Sequence, residues 1–197
     1  CLYEDISGPD GTPDGVIDAY DQTVLGSGLP KVNFGLSTHL EYKGFDLNIS
    51  TYGVLNYHVS DDIYNSLNSC YGYGNKEVGM LDANRWSEDG TYLSSVPRTY
   101  AANNATLAWN DLFSSRKIQN AAYWKIANVE LGYNFPDKWF GGYVSGVRLY
   151  VSAQNLYTFT GYHGYNVDYA GGTFTPGYNF CSFPSARTFM CGLHFTF

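Results

Sequence analysis

Charge is what this sequence has least of. Only 15% of its residues are Asp, Glu, Lys or Arg, against about 25% in ordinary soluble chains. The charge that is present is lopsided, since 18 acidic against 11 basic residues leave a formal net charge of −7. Nothing here would neutralise a phosphate backbone, so nucleic acid is not expected as a partner. Long apolar runs are missing too. No stretch approaches the roughly 20 residues of a membrane-spanning helix, which excludes the helical way of crossing a bilayer. Methionine is almost absent, at two residues, and the four cysteines (Cys1, Cys70, Cys181, Cys191) show no C-x-x-C spacing. A zinc site is therefore not expected. No nucleophile elbow, P-loop, H-E-x-x-H pair or paired-carboxylate arrangement occurs, so the expectation is a protein that is not an enzyme.

In place of these stand rings and glycines: 19 Tyr, 12 Phe, 4 Trp and 22 Gly among 197 residues. They fall into five segments of period two, the spacing of a strand with one apolar face. In "KVNFGLSTHLEY" the residues Val32, Phe34, Leu36, Leu40 and Tyr42 share a face, with Thr38 the one polar interruption. Lys43-Gly44 reads as a tight turn, and Phe45, Leu47 and Ile49 resume the pattern in a hairpin. The third segment alternates Val129, Leu131, Tyr133 and Phe135 with polar partners and stops at Pro136, which cannot donate to a ladder. The fourth carries Val147, Leu149, Val151 and Ala153; the fifth carries Phe189, Cys191, Leu193, Phe195 and Phe197.

The connections alternate in length. Residues 43–44 and 136–146 are short, whereas 1–30, 58–120 and 161–185 are long and polar, with short helical pieces predicted around Asp61–Leu67 and Thr106–Phe113. Short turns on one side and long loops on the other are the habit of outer-membrane barrels, with the long loops extracellular. Rings gather at the strand ends (Tyr42, Phe45, Tyr57, Tyr123, Trp124, Tyr133, Phe135, Trp139, Phe140, Tyr157, Phe159, Phe195, Phe197), as interfacial girdles require. The fold class expected is all-β, a transmembrane antiparallel β-barrel. Five strands cannot close one, because about eight is the usual minimum. The apolar face would meet outer-membrane lipid. The alternative is a secreted β-sandwich, or one lipid-anchored through Cys1, that binds carbohydrate through tyrosine-rich loops; it would bury the same face against a second sheet.

Several stretches together resemble the C-terminal part of SusC/RagA-like TonB-dependent outer-membrane transporters. They are "DGTPDGVIDAYDQTVLGSGLPKVNFGL", "YKGFDLNI", "NVELGYNFP", "RLYVSAQNLYTFTGYHGYNVD" and "PSARTFMCGLHFTF". Thr12 departs from the family's frequent Asn, and Asn166-Val167-Asp168 replaces its frequent Asp-Pro-Glu, which puts contacts at that tripeptide in doubt. The resemblance implies that residues 1–197 are roughly the last five strands of a 22-stranded barrel. The plug, the segment that engages TonB and the earlier strands would lie upstream. It further implies active import of oligosaccharides or peptides across the bacterial outer membrane, with a SusD-like surface lipoprotein as lid and TonB as energy source. A terminal strand ending in Phe195 and Phe197 resembles a barrel-assembly signal.

Local constellations add expectations. Asp10, Thr12, Asp14, Val16, Asp18 and Asp21 stand at positions 1, 3, 5, 7, 9 and 12 of an EF-hand-like calcium loop, with Gly15 at position 6. The competing reading is an acidic turn whose carboxylates cap backbone N–H groups. No cofactor is required beyond this possible calcium ion. Tyr71, Tyr73, Trp86, Tyr92, Tyr162, His163, Tyr165 and Tyr169 are candidate contacts to ligand or lid, since ring faces suit sugars and peptide side chains. Either they meet a ligand or they pack the loops together. His39 and His194 are expected as hydrogen-bonded residues of the polar face, and Glu130 and Arg148 as a cross-strand pair. Cys70 and Cys181 both fall in outer loops, where a disulfide is chemically permitted.

Overall fold

The computed structural model describes residues 3–70, 74–82, 85–87, 96–98, 112–140, 146–168, 172 and 174–196. In chain order the elements are β1 (Val32–Tyr42), β2 (Phe45–Leu55), β3 (His58–Asp61), α1 (Asp62–Leu67), α2 (Val78–Asp82), β4 (Gln119–Asn120), β5 (Tyr123–Phe135), β6 (Gly146–Thr160), β7 (Tyr178–Asn179) and β8 (Thr188–Thr196). The chain divides into two compact units, one of residues 1–26 with 60–118, the other of 27–59 with 119–197.

The second unit holds the five expected strands as one antiparallel sheet, ordered β1-β2-β5-β6-β8. The first hairpin closes through Lys43 at φ 47° and Gly44 at φ 86°, the paired positive φ values of a two-residue turn whose twist matches the strands. Register sets the outer face in rows. One runs Tyr42, Phe45, Tyr133, Leu149, Leu193; the next runs Leu40, Leu47, Leu131, Val151, Cys191. This face is bare: Leu36 is 63% exposed, Leu40 56% and Leu193 58%. Aromatic bands bound the apolar rows. Phe34, Trp124 and Phe159 lie in one row, with Trp124 stacked on Phe159 at 5.3 Å. Tyr42, Phe45, Tyr133 and Phe135 mark the other end, with Phe45 and Tyr133 4.6 Å apart. Eight residues separate Phe34 from Tyr42 in the chain, about 27 Å of strand. A tilt of roughly 40° shortens this to about 21 Å, near the height of an outer-membrane apolar band.

One irregularity interrupts the ladder. Ser50 pairs with Asn128 but Thr51 pairs with Ile126, so Ala127 is an extra residue on β5. On the β6 side the same gap matches Asn128 to Gln154 and Ile126 to Tyr157, with Asn155 at φ 52°. A bulge of this kind exchanges the faces beyond it. Below Ala127 the outward residues of β5 are odd-numbered; above it they are Ile126 and Trp124, while Lys125 and Tyr123 turn inward. Tyr123 then joins Tyr57, Val59, Ala121, Tyr162 and Val167 in a buried cluster. Tyr57 and Tyr123, expected in the girdle, are core residues instead, and burial pushes the Tyr57 phenol pKa up. The short strands β4, β3 and β7 form a separate three-stranded sheet.

In the first unit, α1 matches the predicted helical piece. Asp61 caps it by accepting from the Tyr64 amide at 2.8 Å. The second predicted piece is not confirmed, since Leu112 and Phe113 are not helical and residues 106–111 lie outside the described residues. Cys70 is fully buried, its Sγ approached by Arg116 Nη1 at 3.6 Å, and it is a free thiol; Cys181 is an exposed free thiol. Burial and a guanidinium contact satisfy Cys70 within its own unit.

Candidate functional site

The inner face of the sheet carries the polar chemistry. Its centre is Arg148 on β6, whose Nε donates to Asp46 Oδ1 at 3.0 Å and whose Nη2 reaches Asp46 Oδ2 and, at 2.7 Å, Glu130 Oε1. Asn134 Nδ2 donates to Asp46 Oδ1 at 3.0 Å, and the guanidinium lies 5.2 Å from the Tyr150 ring centroid. The expected Glu130–Arg148 pair is present, with Asp46 as a third member. Asp46 is on β2 and Arg148 on β6, so their bridge passes over β5. It can do so because the residue beneath it is Gly132, where a Cβ would come within 2.5 Å of Asp46 Oδ1 and 2.6 Å of Arg148 Nη2. His39, as expected, is hydrogen-bonded on this face, through Nδ1 to Asn48 (2.6 Å) and Nε2 to Glu41 (2.9 Å).

Above the bulge a second polar group forms. Lys125 Nζ pairs with Asp168 Oδ2, which also accepts from Tyr52 Oη at 3.1 Å. Thus the Asn166-Val167-Asp168 departure keeps a working carboxylate. Of the eight aromatic and histidine candidates, Tyr71, Tyr73, Tyr92 and Tyr169 lie outside the described residues. Trp86, in the first unit, is partly exposed. Tyr162 is buried, its hydroxyl accepting from Asn179 Nδ2 at 2.8 Å; its ring packs the loop. His163 and Tyr165 are exposed. The His163 amide donates to Gln119 Oε1 at 3.0 Å, and His163 lines a shallow depression of about 310 Å³ with Gln119, Asn120, Ala122 and Gly161. Ring faces and amides of this sort bind by contact and hydrogen bonding. Phe195 lies on the outer face opposite Val147; Phe197 lies outside the described residues.

The acidic loop folds as a capped turn. Asp21 Oδ1 accepts from the amides of Ile6 (2.8 Å) and Ser7 (3.1 Å), and Oδ2 from that of Asp18 (2.8 Å). Asp18 Oδ1 accepts from Tyr20 N, and Asp14 Oδ1 from Val16 N. These bonds hold the Asp21 carboxyl below its usual range, the Asp18 amide contributing most. Among the described residues no three carboxylate, imidazole or thiolate groups converge, and the carboxylates of Asp14, Asp18 and Asp21 are engaged by backbone amides.

No family model matches the chain. Curated proteins do. TonB-dependent receptor P3 of Formosa agariphila is 30% identical over 204 residues, covering 100% of this chain and 19% of the receptor. TonB-dependent receptor SusC of Bacteroides thetaiotaomicron is 26% identical over 190 residues, covering 95% of this chain and 17% of SusC. Among solved structures, the RagAB peptide importer in its closed-closed state superposes with a TM-score of 0.76 at 24% identity, over 96% of this chain and 20% of that one. This chain is a SusC/RagA-like barrel segment. It spans about a fifth of the length of the relatives it matches. Its place is the bacterial outer membrane, and the relatives are receptors and transporters, not enzymes.

In the SusC/RagA-like segment, sequence reasoning overlooked Lys125, Tyr52 and Asp46, and it left contacts at Asp168 in doubt. A signal existed for Lys125. Unbroken alternation through Val129 and Leu131 would place it among lipid-facing residues, where a lysine costs about 2–4 kcal/mol at mid-depth. Either the strand ends there or its phase shifts, and the structure shows the shift.

Proposed function

We propose that this chain is part of the wall of a TonB-dependent outer-membrane importer of nutrients, oligosaccharides or peptides. A SusD-like surface lipoprotein closes over its long loops, and TonB acts through a region outside this chain. The observation that carries the reading is the two-faced sheet, bare and apolar between aromatic bands outside, ion-paired and hydrogen-bonded inside. That is a wall between lipid and a polar lumen. His163 and Tyr165 are the ligand or lid contacts favoured by their exposure, and Phe195 with Phe197 serves barrel assembly. Uptake of labelled oligosaccharide and peptide mixtures by cells carrying the full-length gene tests the reading. Uptake of one class is expected, lost when either this gene or TonB is removed. Uptake that survives TonB removal would overturn it.

A further inference from the structure

We propose that Asp168, Lys125 and Tyr52 form a latch that fastens the loop segment 162–168 to the inner face of the wall and so fixes where His163 and Tyr165 stand. The Lys125 side chain is 5% exposed and that of Asp168 17%. A desolvated ammonium requires a counter-charge, and Asp168 is its ion-pair partner among the described residues. Lys125 is on β5 and Tyr52 on β2, at paired positions of the ladder. The carboxylate thus grips two neighbouring strands at once. Lys125 Nζ also sits 5.9 Å from the Tyr52 ring centroid, which orients both donors towards the loop.

The loop is built to be held at that point. The Asp168 amide donates to Asn166 Oδ1 at 3.1 Å, Asn166 Nδ2 donates to the Phe183 carbonyl at 3.0 Å, and Val167 between them is buried. Residues 166–168 are therefore a stiff tongue, and displacing its end displaces the rest. Both contacts fall on Oδ2, and the Tyr123 side chain is a further hydrogen-bonding neighbour of the Asp168 carboxylate.

The proposal depends on the barrel reading of the wall and not on import, so the test avoids transport. A nitroxide is attached to Tyr165→Cys in the full-length protein in detergent, judged against the unmutated parent carrying the same labelling reagent. Asp168→Ala and Lys125→Met should each raise the mobile fraction of the spectrum about threefold or more, because either change leaves the other charge unmatched. The exchanged pair Lys125→Asp with Asp168→Lys should return it towards the unsubstituted value. Should Asp168→Ala fail to assemble, Asp168→Asn, which keeps the volume, serves in its place. A spectrum unchanged in the assembled single variant overturns the latch, and an exchanged pair that stays mobile overturns its ionic basis.

Discussion

The hairpin β1–β2 and the hairpin β5–β6 are built from similar material yet solve different problems. The first pairs from Val32 with Leu55 to Tyr42 with Phe45 without a break. Every second residue of β1 faces outward, and none of the outward ones is charged. The second loses register between Ile126 and Asn128. The cause is one residue. Lys125 would face lipid in an unbroken ladder, and Ala127 absorbs the extra step that turns it inward. The same step brings Tyr123 into the core and Trp124 into the outer band. Uniform alternation yields a plain wall, whereas the phase shift at Ala127 turns Lys125 and Tyr123 to the inner face.

Moving the charge by one position breaks this contrast most severely. The exchange Lys125→Ile with Ile126→Lys sets an ammonium on the lipid side, at a cost of up to about 4 kcal/mol that falls towards the interface. Cell-surface labelling of the full-length protein should show a clear loss of assembled barrel. Deleting Ala127, which leaves Ile126 opposite Thr51 and Lys125 opposite Tyr52 in an even ladder, should assemble like the parent, and equal assembly of the exchanged protein and the parent would refute the facing given to Lys125. A smaller effect separates two inner-face glycines. Gly132→Ala drives a methyl group into the Asp46–Arg148 bridge, an overpacking cost of about 1–3 kcal/mol. Gly35→Ala on β1, whose Cβ would meet only the Thr51 carbonyl at 3.7 Å, should fall within about 0.5 kcal/mol of the parent. Midpoints of heat-modified mobility on gels measure both, and equal midpoints would remove the distinction. The smallest effect lies outside both hairpins. Because the folded Asp21 carboxyl titrates below its usual range, the order it confers on residues 5–21 is complete above the unfolded value. It is lost as pH falls from about 4 through the lowered one. Asp21→Asn should abolish that acid step in Tyr20 fluorescence and leave both hairpins unaltered.

The strands were legible because their pattern is long and local. Lys43-Gly44 and Pro136 bracket alternation that no other element produces, and the observed β1, β2, β5, β6 and β8 follow it. Strands β4 and β7, of two residues each, are too short to carry a period. The girdle and the core draw on the same rings, so Tyr57, Tyr123 and Tyr162 could not be sorted without knowing the phase shift. Spacing alone could not decide between an ion loop and a capped turn at residues 10–21, since both ask for Asp at the same places. The Lys125–Asp168 contact joins residues 43 apart, and no local pattern announces such a pair. The bridge from Asp46 to Arg148, 102 positions apart, was half visible, through Glu130.

That bridge has a mechanical consequence. A sheet under lateral strain parts along the seam between two neighbouring strands, where only one ladder of hydrogen bonds resists. Asp46 and Arg148 are fastened over the top of β5, so neither the β2–β5 seam nor the β5–β6 seam can slide without stretching the same ion pair. Three strands then shear as one plank, and the naked backbone of Gly132 is the slot through which the tie passes.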